Sequence, residues 1–418
     1  MNNNENPNLK LLILGEPLSI HTIRWVKQLL DTGWDIRLFC PLPPKWSVWA
    51  DGRWEKVLHK LSREIAPISL LWVESNFFYK LLEKRRTHLG FLTPFFQWVE
   101  PYFDRLLGML WKKKLMETLQ HFQPDVVHSL GINQNWRNLC QPMLEQKRNG
   151  NLTAPWVYSS WGTDLTFYHG LSPQNKMEVE AVIRSVDFYI SESNHDREMA
   201  IQYGMPQDRF LGVLPAFGGV HLEKHDQFRT PGPVSERTGL YIKGRGTEDP
   251  VGRAMVIMDA IEKLHDILSG YTIYIGAASL SIAQKALEVR EKYGLNIIVL
   301  PYIEEPEDVL RYVGMSRLFI SITINDGLPA SLVEAMALGA FPIFSNLPSI
   351  GEWITHGENG FLAEVDDTEK LAEYIRQALQ DDKLVNRADE INRKIIRERL
   401  EYRLVRNKVV AMYQRFAH

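Results

Sequence analysis

Ser321-Ile-Thr-Ile-Asn-Asp-Gly-Leu-Pro-Ala-Ser-Leu-Val-Glu-Ala-Met-Ala-Leu-Gly339 is the stretch on which the fold turns. Its apolar residues up to Ile324 read as a buried strand, Asn325-Asp326-Gly327 as a turn, and Pro329 to Leu338 as a helix. Proline suits the first helical turn, where its missing N–H has no intrahelical partner, and Gly339 suits a left-handed helix end. A strand feeding a helix through a tight turn leaves the first helical amides free. The free amides between Gly327 and Ser331, with Leu328 and Pro329 shaping the turn and Pro329 itself offering no N–H, therefore frame an anion site at the helix entrance, positioned for phosphate or sugar oxygens.

The same grammar extends in both directions. In the second half, Gly239–Lys243, Tyr271–Ile275, Asn296–Leu300, Leu318–Ile322 and Ala340–Phe344 read as strands, with helices over Ala254–Leu268, Ile282–Tyr293 and Pro306–Val313 between them. Leu371–Leu379 and Asp389–Ala417 read as further helices. In the first half, Lys10–Gly15, Asp35–Cys40, Pro124–His128, Pro155–Ser159 and Val186–Ser191 read as strands, with helices at His21–Leu30 and Asn194–Tyr203. Near-continuous apolar strands alternating with helices predict parallel sheets covered on both faces. The break around Gly218-Gly219 and Pro231-Gly-Pro233 is the best domain boundary. The expected organisation is a domain over 1–215, a linker over 216–238, a second domain over 239–390, and a terminal helical segment over 391–418 that returns to the first domain.

Composition narrows the function classes. With 418 residues, 45% hydrophobic and 24% charged, the chain is long enough for two cores. A formal net charge of -3 supplies no general attraction for nucleic acid, so no nucleic-acid partner is expected. Two cysteines, Cys40 and Cys140, form neither a disulfide framework nor a metal cluster, which fits reduced cytosol. The polar start predicts no signal peptide, and no apolar run is long enough to span a bilayer. A cytoplasmic protein is expected, with the inner face of a membrane left open as a place of peripheral binding.

Asp326 and Glu334 carry two readings. A turn acid and a helical glutamate can grip different hydroxyls of one elongated ligand, or they can be an ordinary turn residue and a solvated helix residue. The stretch closely resembles the signature of the retaining, GT-B-fold glycosyltransferase family 4, through Asp326-Gly327, Glu334-Ala-Met-Ala337 and Gly339. Gly351-Glu352, His356-Gly-Glu-Asn-Gly360, the turn after Leu11 and Ser160-Trp-Gly-Thr-Asp164 extend the likeness. It implies an α/β GT-B architecture, two facing Rossmann-like domains with an interdomain catalytic cleft. It also implies a nucleoside diphosphate sugar as donor substrate, with no tightly bound cofactor and no metal. Asp326 stands where the family usually has glutamate; the resemblance assigns it and the neighbouring backbone to the donor sugar and Glu334 to the ribose.

On the same resemblance, Arg245 matches the arginine after the first strand of the donor domain and, with Gly244, faces the diphosphate. The family's downstream lysine is missing, and Arg253 is the expected replacement across a longer loop. Lys243 stands beside them, the face it occupies left open by so short a strand. Tyr302 is either a wall of the nucleobase pocket or an aromatic cap on the core. Gly15 permits close approach after the first strand, and Glu16, Ser19 and His21 either touch substrate or cap a helix. His128 ends its strand where family members often carry a second histidine, replaced here by Leu130. It is a catalytic candidate or a buried, hydrogen-bonded histidine. Asp164 is expected to orient a ligand or a neighbouring loop. The catalytic set is then Asp326, Arg245, Arg253 and His128.

Phe77-Phe-Tyr-Lys80, Lys84-Arg-Arg86, Phe91–Phe96 and Trp111-Lys-Lys-Lys114 form an aromatic and basic region. It reads either as a membrane-facing surface or as a helical lid. The function expected from these features is retaining transfer of a sugar to a carbohydrate, lipid-linked or small-molecule hydroxyl. The alternatives are a GT-B phosphorylase or epimerase, or a nucleotide-sugar sensor or scaffold without turnover.

Overall fold

The computed structural model describes residues 9–16, 19–40, 61–71, 93–134, 137–138, 140–303 and 306–417. Two compact units emerge. One holds Met1–Glu192, Asp196–Gly218 and Arg406–His418; the other holds Ser193–His195 and Gly219–Val405.

The first unit is built on a seven-stranded parallel sheet in the order β3-β2-β1-β4-β7-β8-β9. Its strands are β1 (Lys10–Leu14), β2 (Asp35–Phe39), β3 (Ser69–Leu71), β4 (Val126–Leu130), β7 (Trp156–Ser159), β8 (Phe188–Ser191) and β9 (Phe210–Val213). A two-stranded antiparallel pair, β5 (Asn133–Gln134) and β6 (Arg137–Asn138), follows β4. Leu11–Leu14 and all of β4 are buried, as expected of strands covered on both faces. The helices used below are α1 (Ile20–Lys27) and α2 (Thr93–Phe122).

The second unit carries a six-stranded parallel sheet in the order β12-β11-β10-β13-β14-β15. Its strands are β10 (Gly239–Lys243), β11 (Thr272–Gly276), β12 (Asn296–Val299), β13 (Ser316–Ser321), β14 (Phe341–Ser345) and β15 (Phe361–Ala363). Helices α3 (Ala254–Lys263), α4 (Leu280–Tyr293), α5 (Pro306–Gly314), α6 (Ala330–Leu338), α7 (Thr368–Gln380) and α8 (Asp382–Ile395) pack around it. One continuous core joins Leu240, Ile242, Ile273, Ile275, Leu318, Ile320 and Ile343 to Ile257, Ile261, Leu371 and Ile375. In both units strand order reverses beside the first strand, at β1/β4 and at β10/β13. That reversal opens a crevice at the carboxyl ends of those strands, where sheets of this kind bind ligands.

The expected linker over 216–238 needs correction. Residues from Gly219 onward belong to the second unit, and Arg229 and Arg237 bind into it. Arg229 donates to the Ala337 carbonyl at 3.1 Å, Arg237 to the Leu338 carbonyl at 2.9 Å, and Arg393 reaches Ala337 at 3.4 Å. These three guanidiniums satisfy the orphan carbonyls and complement the negative end of α6. The expected returning segment is also shorter: residues through Val405 stay with the second unit, and Arg406 onward joins the first. It is not one helix either, since α8 passes into a π-helical turn at Ile396–Leu400 before α9 (Tyr402–Gln414).

Candidate active site

The crevice between β10 and β13 gathers most of the residues singled out above. β10 ends at Lys243, and Gly244 follows with its amide on the Gly276 carbonyl at 2.8 Å. A side chain at Gly244 would meet Ala278 Cα at 2.9 Å, so this turn is closed by backbone proximity. The chain then runs out to Arg253 and is stitched to the end of β13. The Arg253 amide donates to the Ile322 carbonyl at 3.0 Å, and the Ile324 amide to the Val251 carbonyl at 2.9 Å. The basic loop is thereby held against the Asn325-Asp326-Gly327 turn.

That turn is built as its residues dictate. The Asp326 carboxylate accepts from the Gly327 amide at 3.0 Å, and the Asp326 carbonyl accepts from the Ser349 hydroxyl at 2.7 Å. The Thr323 amide is held by Ser345 Oγ at 2.7 Å. Pro329 is the residue just outside α6, one position earlier than expected, with φ -63° and ψ 125°. Its carbonyl starts the helix by accepting from Leu332. The Ala330 and Ser331 amides belong to the first turn, where no intrahelical acceptor exists. Gly339 ends α6 at φ 86°, in the expected left-handed conformation.

Lys243 reaches into this turn. Its Nζ lies 3.3 Å from Ser331 Oγ, and Asp326, Arg245, Glu334 and Asp249 all act on it electrostatically. Burial lowers its pKa, opposed by the attraction of Asp326 and Glu334. Burial likewise raises the pKa of Asp326, opposed by Lys243 and Arg245. Glu334, one turn further along α6, also acts on the Tyr241 hydroxyl of β10. Lys243, Arg245, Asp249, Asp326, Ser331 and Glu334 thus form one electrostatic group at the strand ends and the α6 entrance. Two cations beside free amides suit a diphosphate, and carboxylates beside them suit hydroxyls.

Arg253 occupies the residue before α3, and its guanidinium turns back to the carbonyls of Gly252 at 2.6 Å and Pro250 at 3.4 Å. Its backbone is at the crevice, whereas its charge is spent on its own loop. Tyr302 is 90% exposed and lines a separate cavity of about 660 Å³ with Phe228, Arg311, Tyr312 and Met315. The structure does not gather its ring with the Asp326 group.

In the first unit, Gly15 is held by packing: an added Cβ would lie 2.8 Å from Thr22 Cγ2 of α1. Ser19 caps α1, accepting from the His21 amide at 3.3 Å, and the His21 ring leans on Trp161 at 5.5 Å. Asp164 accepts from the Ile132 amide, the Trp161 amide and the Tyr158 hydroxyl at 3.0, 3.0 and 2.8 Å. With 1% of its surface exposed, it orients loops rather than a ligand.

His128 is a correction to the catalytic set. It is fully buried, with Nδ1 2.5 Å from Tyr413 Oη and Nε2 2.7 Å from Ser159 Oγ. Trp25 donates to the same Tyr413 oxygen at 3.0 Å. A neutral imidazole satisfies both contacts by donating at one nitrogen and accepting at the other. His128 is thus placed in the core, and that burial lowers its pKa to about 3.

Lys243, Ser331 and Asp249 were not in the expected binding set. The available signal was Lys243 itself, a cation closing the otherwise apolar strand Gly239-Leu-Tyr-Ile-Lys243 at its carboxyl end. Among the described residues no His, Cys, Asp or Glu cluster is arranged to hold a metal, and no helix is long and apolar enough to cross a membrane.

Residues 282–395 match the family described as Glycosyl transferases group 1. That segment contains Asp326 and Glu334 but stops short of Lys243 and Arg245. Over 113 residues the chain is 29% identical to N-acetyl-alpha-D-glucosaminyl L-malate synthase of Bacillus anthracis, covering 27% of this chain and 29% of that protein. Over 121 residues it is 22% identical to the capsular polysaccharide biosynthesis glycosyltransferase CapM of Staphylococcus aureus, covering 29% and 31%. The matched segments therefore span less than a third of these curated relatives. Among solved structures, Anabaena HepE in complex with UDP and glucose aligns at a TM-score of 0.66 and 16% identity, over 97% of this chain and 99% of that one. Sucrose-phosphate synthase from Thermosynechococcus elongatus aligns at 0.67 and 12%, over 98% and 99%. With two parallel sheets, each flanked by helices and matched along nearly its whole length, the chain has the GT-B fold.

Proposed function

We propose that this protein is a retaining, family 4-like glycosyltransferase that moves a sugar from a nucleoside diphosphate donor to a hydroxyl acceptor. The observation that carries the reading is the grouping of Lys243, Arg245, Asp326 and Glu334 around the α6 entrance. The match of the surrounding segment to a glycosyltransferase family supports it. In this assignment Lys243, Arg245 and the amides of Leu328, Ala330 and Ser331 take up the charge of the departing diphosphate. Asp326 holds sugar hydroxyls and Glu334 the ribose. Arg253 serves through its backbone and loop, and Gly244, Gly327 and Pro329 shape the cradle. Tyr302 is assigned to the base only if its exposed ring folds inward on binding.

Transfer with retention requires the bond from the anomeric carbon to the phosphate oxygen to break while the acceptor oxygen bonds on the same face. The departing phosphate oxygen accepts the acceptor's proton, and no covalent sugar intermediate of the retaining-glycosidase kind is invoked. Acceptor recognition is assigned to the first unit, and the acceptor classes are glycan, lipid-linked and small-molecule hydroxyls. Peripheral contact with an anionic membrane is supported by Met109, Leu110 and Met116, exposed on α2 beside Lys113. Trp111 contributes nothing to that surface, being buried with its Nε1 donating to the Cys40 carbonyl at 3.0 Å. Phe77–Lys80, Lys84–Arg86 and Phe91 lie outside the described residues.

A panel of sugar nucleotides offered with lipid-linked and soluble acceptors, read by mass for released nucleotide and glycosylated product, tests the activity. Donor binding without product across the panel would favour a sensor or scaffold. Phosphate-dependent release of a sugar phosphate would favour a phosphorylase.

A further inference from the structure

Within the loop from Gly244 to Arg253, which backbone bonds tie to the end of β13 and Glu248 ties to Ser281, one side chain links the turn to Arg245. Asp249 Oδ1 accepts from the Val251 amide at 3.0 Å and the Gly252 amide at 3.2 Å, and the Asp249 amide donates to the Gly246 carbonyl at 3.0 Å. Asp249 Oδ2 holds the Arg245 guanidinium, 2.6 Å from Nε and 2.6 Å from Nη2. Gly252 closes the turn over the same arginine, since a Cβ there would lie 2.7 Å from the Arg245 carbonyl carbon. Both carboxylate oxygens are therefore committed, one to the shape of the loop and one to the aim of Arg245. The guanidinium keeps its Nη1 side, which has no partner among the described residues, and Arg245 acts electrostatically on Asp326 and Lys243.

A carboxylate on an arginine can act in two opposite ways. It can compete with an incoming phosphate, or it can hold a long side chain in one rotamer and so remove an ordering cost from binding. The anchoring of Oδ1 decides between them, because a carboxylate driven off by phosphate would strand the Val251 amide and leave the Gly252 amide only the Asp249 carbonyl at 3.2 Å. We propose that Asp249 is a positioning residue that fixes the Gly244–Arg253 turn and presents the Nη1 side of Arg245 to the diphosphate of the donor. This rests on the donor-site reading given above.

The test is a double-mutant cycle on the full chain, with affinities for UDP and UMP measured by titration calorimetry in wild type, D249N, R245A and D249N/R245A. UDP is the first probe, and GDP, ADP and dTDP with their monophosphates replace it if it does not bind. Asparagine keeps an oxygen for the Val251 and Gly252 amides and loses the charge on Arg245. D249S, whose hydroxyl also accepts from turn amides, is the second variant should D249N fail to fold. D249N is expected to weaken diphosphate binding about ten-fold, to change monophosphate binding far less, and to add nothing in the R245A background. Unchanged or tighter diphosphate binding in D249N overturns the inference, as does a loss that persists in R245A or falls equally on the monophosphate. Any of these with tight wild-type binding leaves the donor site standing. A wild type that binds none of the four diphosphates overturns both.

Discussion

Replacing His128 by glutamine separates a core role from a catalytic one, and its pH signature follows from the geometry. The imidazole has no exposed surface, both nitrogens are engaged by hydroxyls, and its pKa falls from 6.5 to about 3. The folded value lies below the unfolded one, so between these two pH values the unfolded chain binds the extra proton. The stabilisation from a neutral His128 is thus complete above pH 6.5 and is lost as pH falls toward 3. Each unit of pH in that window costs about 1.4 kcal/mol, which makes roughly 2 kcal/mol by pH 5 and on the order of 5 kcal/mol over the whole window. H128Q retains a donor and an acceptor but does not titrate. It should be less stable than wild type at pH 7.5, because an amide cannot reach both Tyr413 and Ser159 with ring geometry. Between pH 6.5 and 5 it should lose about 2 kcal/mol less than wild type. Urea unfolding of the first unit followed at several pH values, alongside NMR of ring-labelled histidine in the folded protein, supplies the comparison. Parallel pH dependence in the two proteins, or a His128 resonance titrating near its ordinary value in the folded state, would refute the burial argument. Loss of turnover in fully folded H128Q with stability unchanged would restore the catalytic role.

Glu334→Ala should weaken nucleoside diphosphate binding by about ten-fold or more, the scale of charge-assisted hydrogen bonds to two hydroxyls, while a 2′,3′-dideoxy nucleotide should bind both proteins alike. Lys243→Met removes the cation that opposes the raised pKa of Asp326, so that pKa should rise further. Activity that needs the carboxylate is lost as pH falls through that pKa, and the acid limb of the kcat/KM profile should therefore move upward in pH; an unmoved limb would exclude the pairing. Arg253→Ala should cost less diphosphate affinity than Lys243→Met, because the Arg253 guanidinium already serves Gly252 and Pro250. Gly339→Ala should destabilise the second unit by more than about 1 kcal/mol in thermal unfolding, since φ is 86° and the new Cβ would lie 2.8 Å from Asp389 Oδ1.

Much of the fold was legible because its cues are local. Apolar runs such as Leu11–Leu14 and Leu318–Ile322 need only hydrophobic continuity to read as buried strands, and Gly339 needs only its helix to demand a left-handed end. The elements left unread lack such cues. β3 is three residues long, β9 is half-buried throughout, and α2 begins in an aromatic and basic stretch that equally suits a membrane surface. The helical composition of Asp389–Ala417 concealed the π-helical turn within it.

The site divides in the same way. Sequence by itself determined the turn at Asp326-Gly327, the helix that starts behind it and Gly339, because turn chemistry and helix geometry act over a few neighbouring residues. Tertiary structure alone decided which charges face that entrance. Lys243 comes from a strand eighty-three residues before Asp326, Arg253 turns to its own carbonyls, and His128 sinks into the first core against Tyr413, 285 residues away. A side chain's charge state and partners are set by what packs around it, and in a parallel sheet those neighbours arrive through crossovers that separate them widely along the chain.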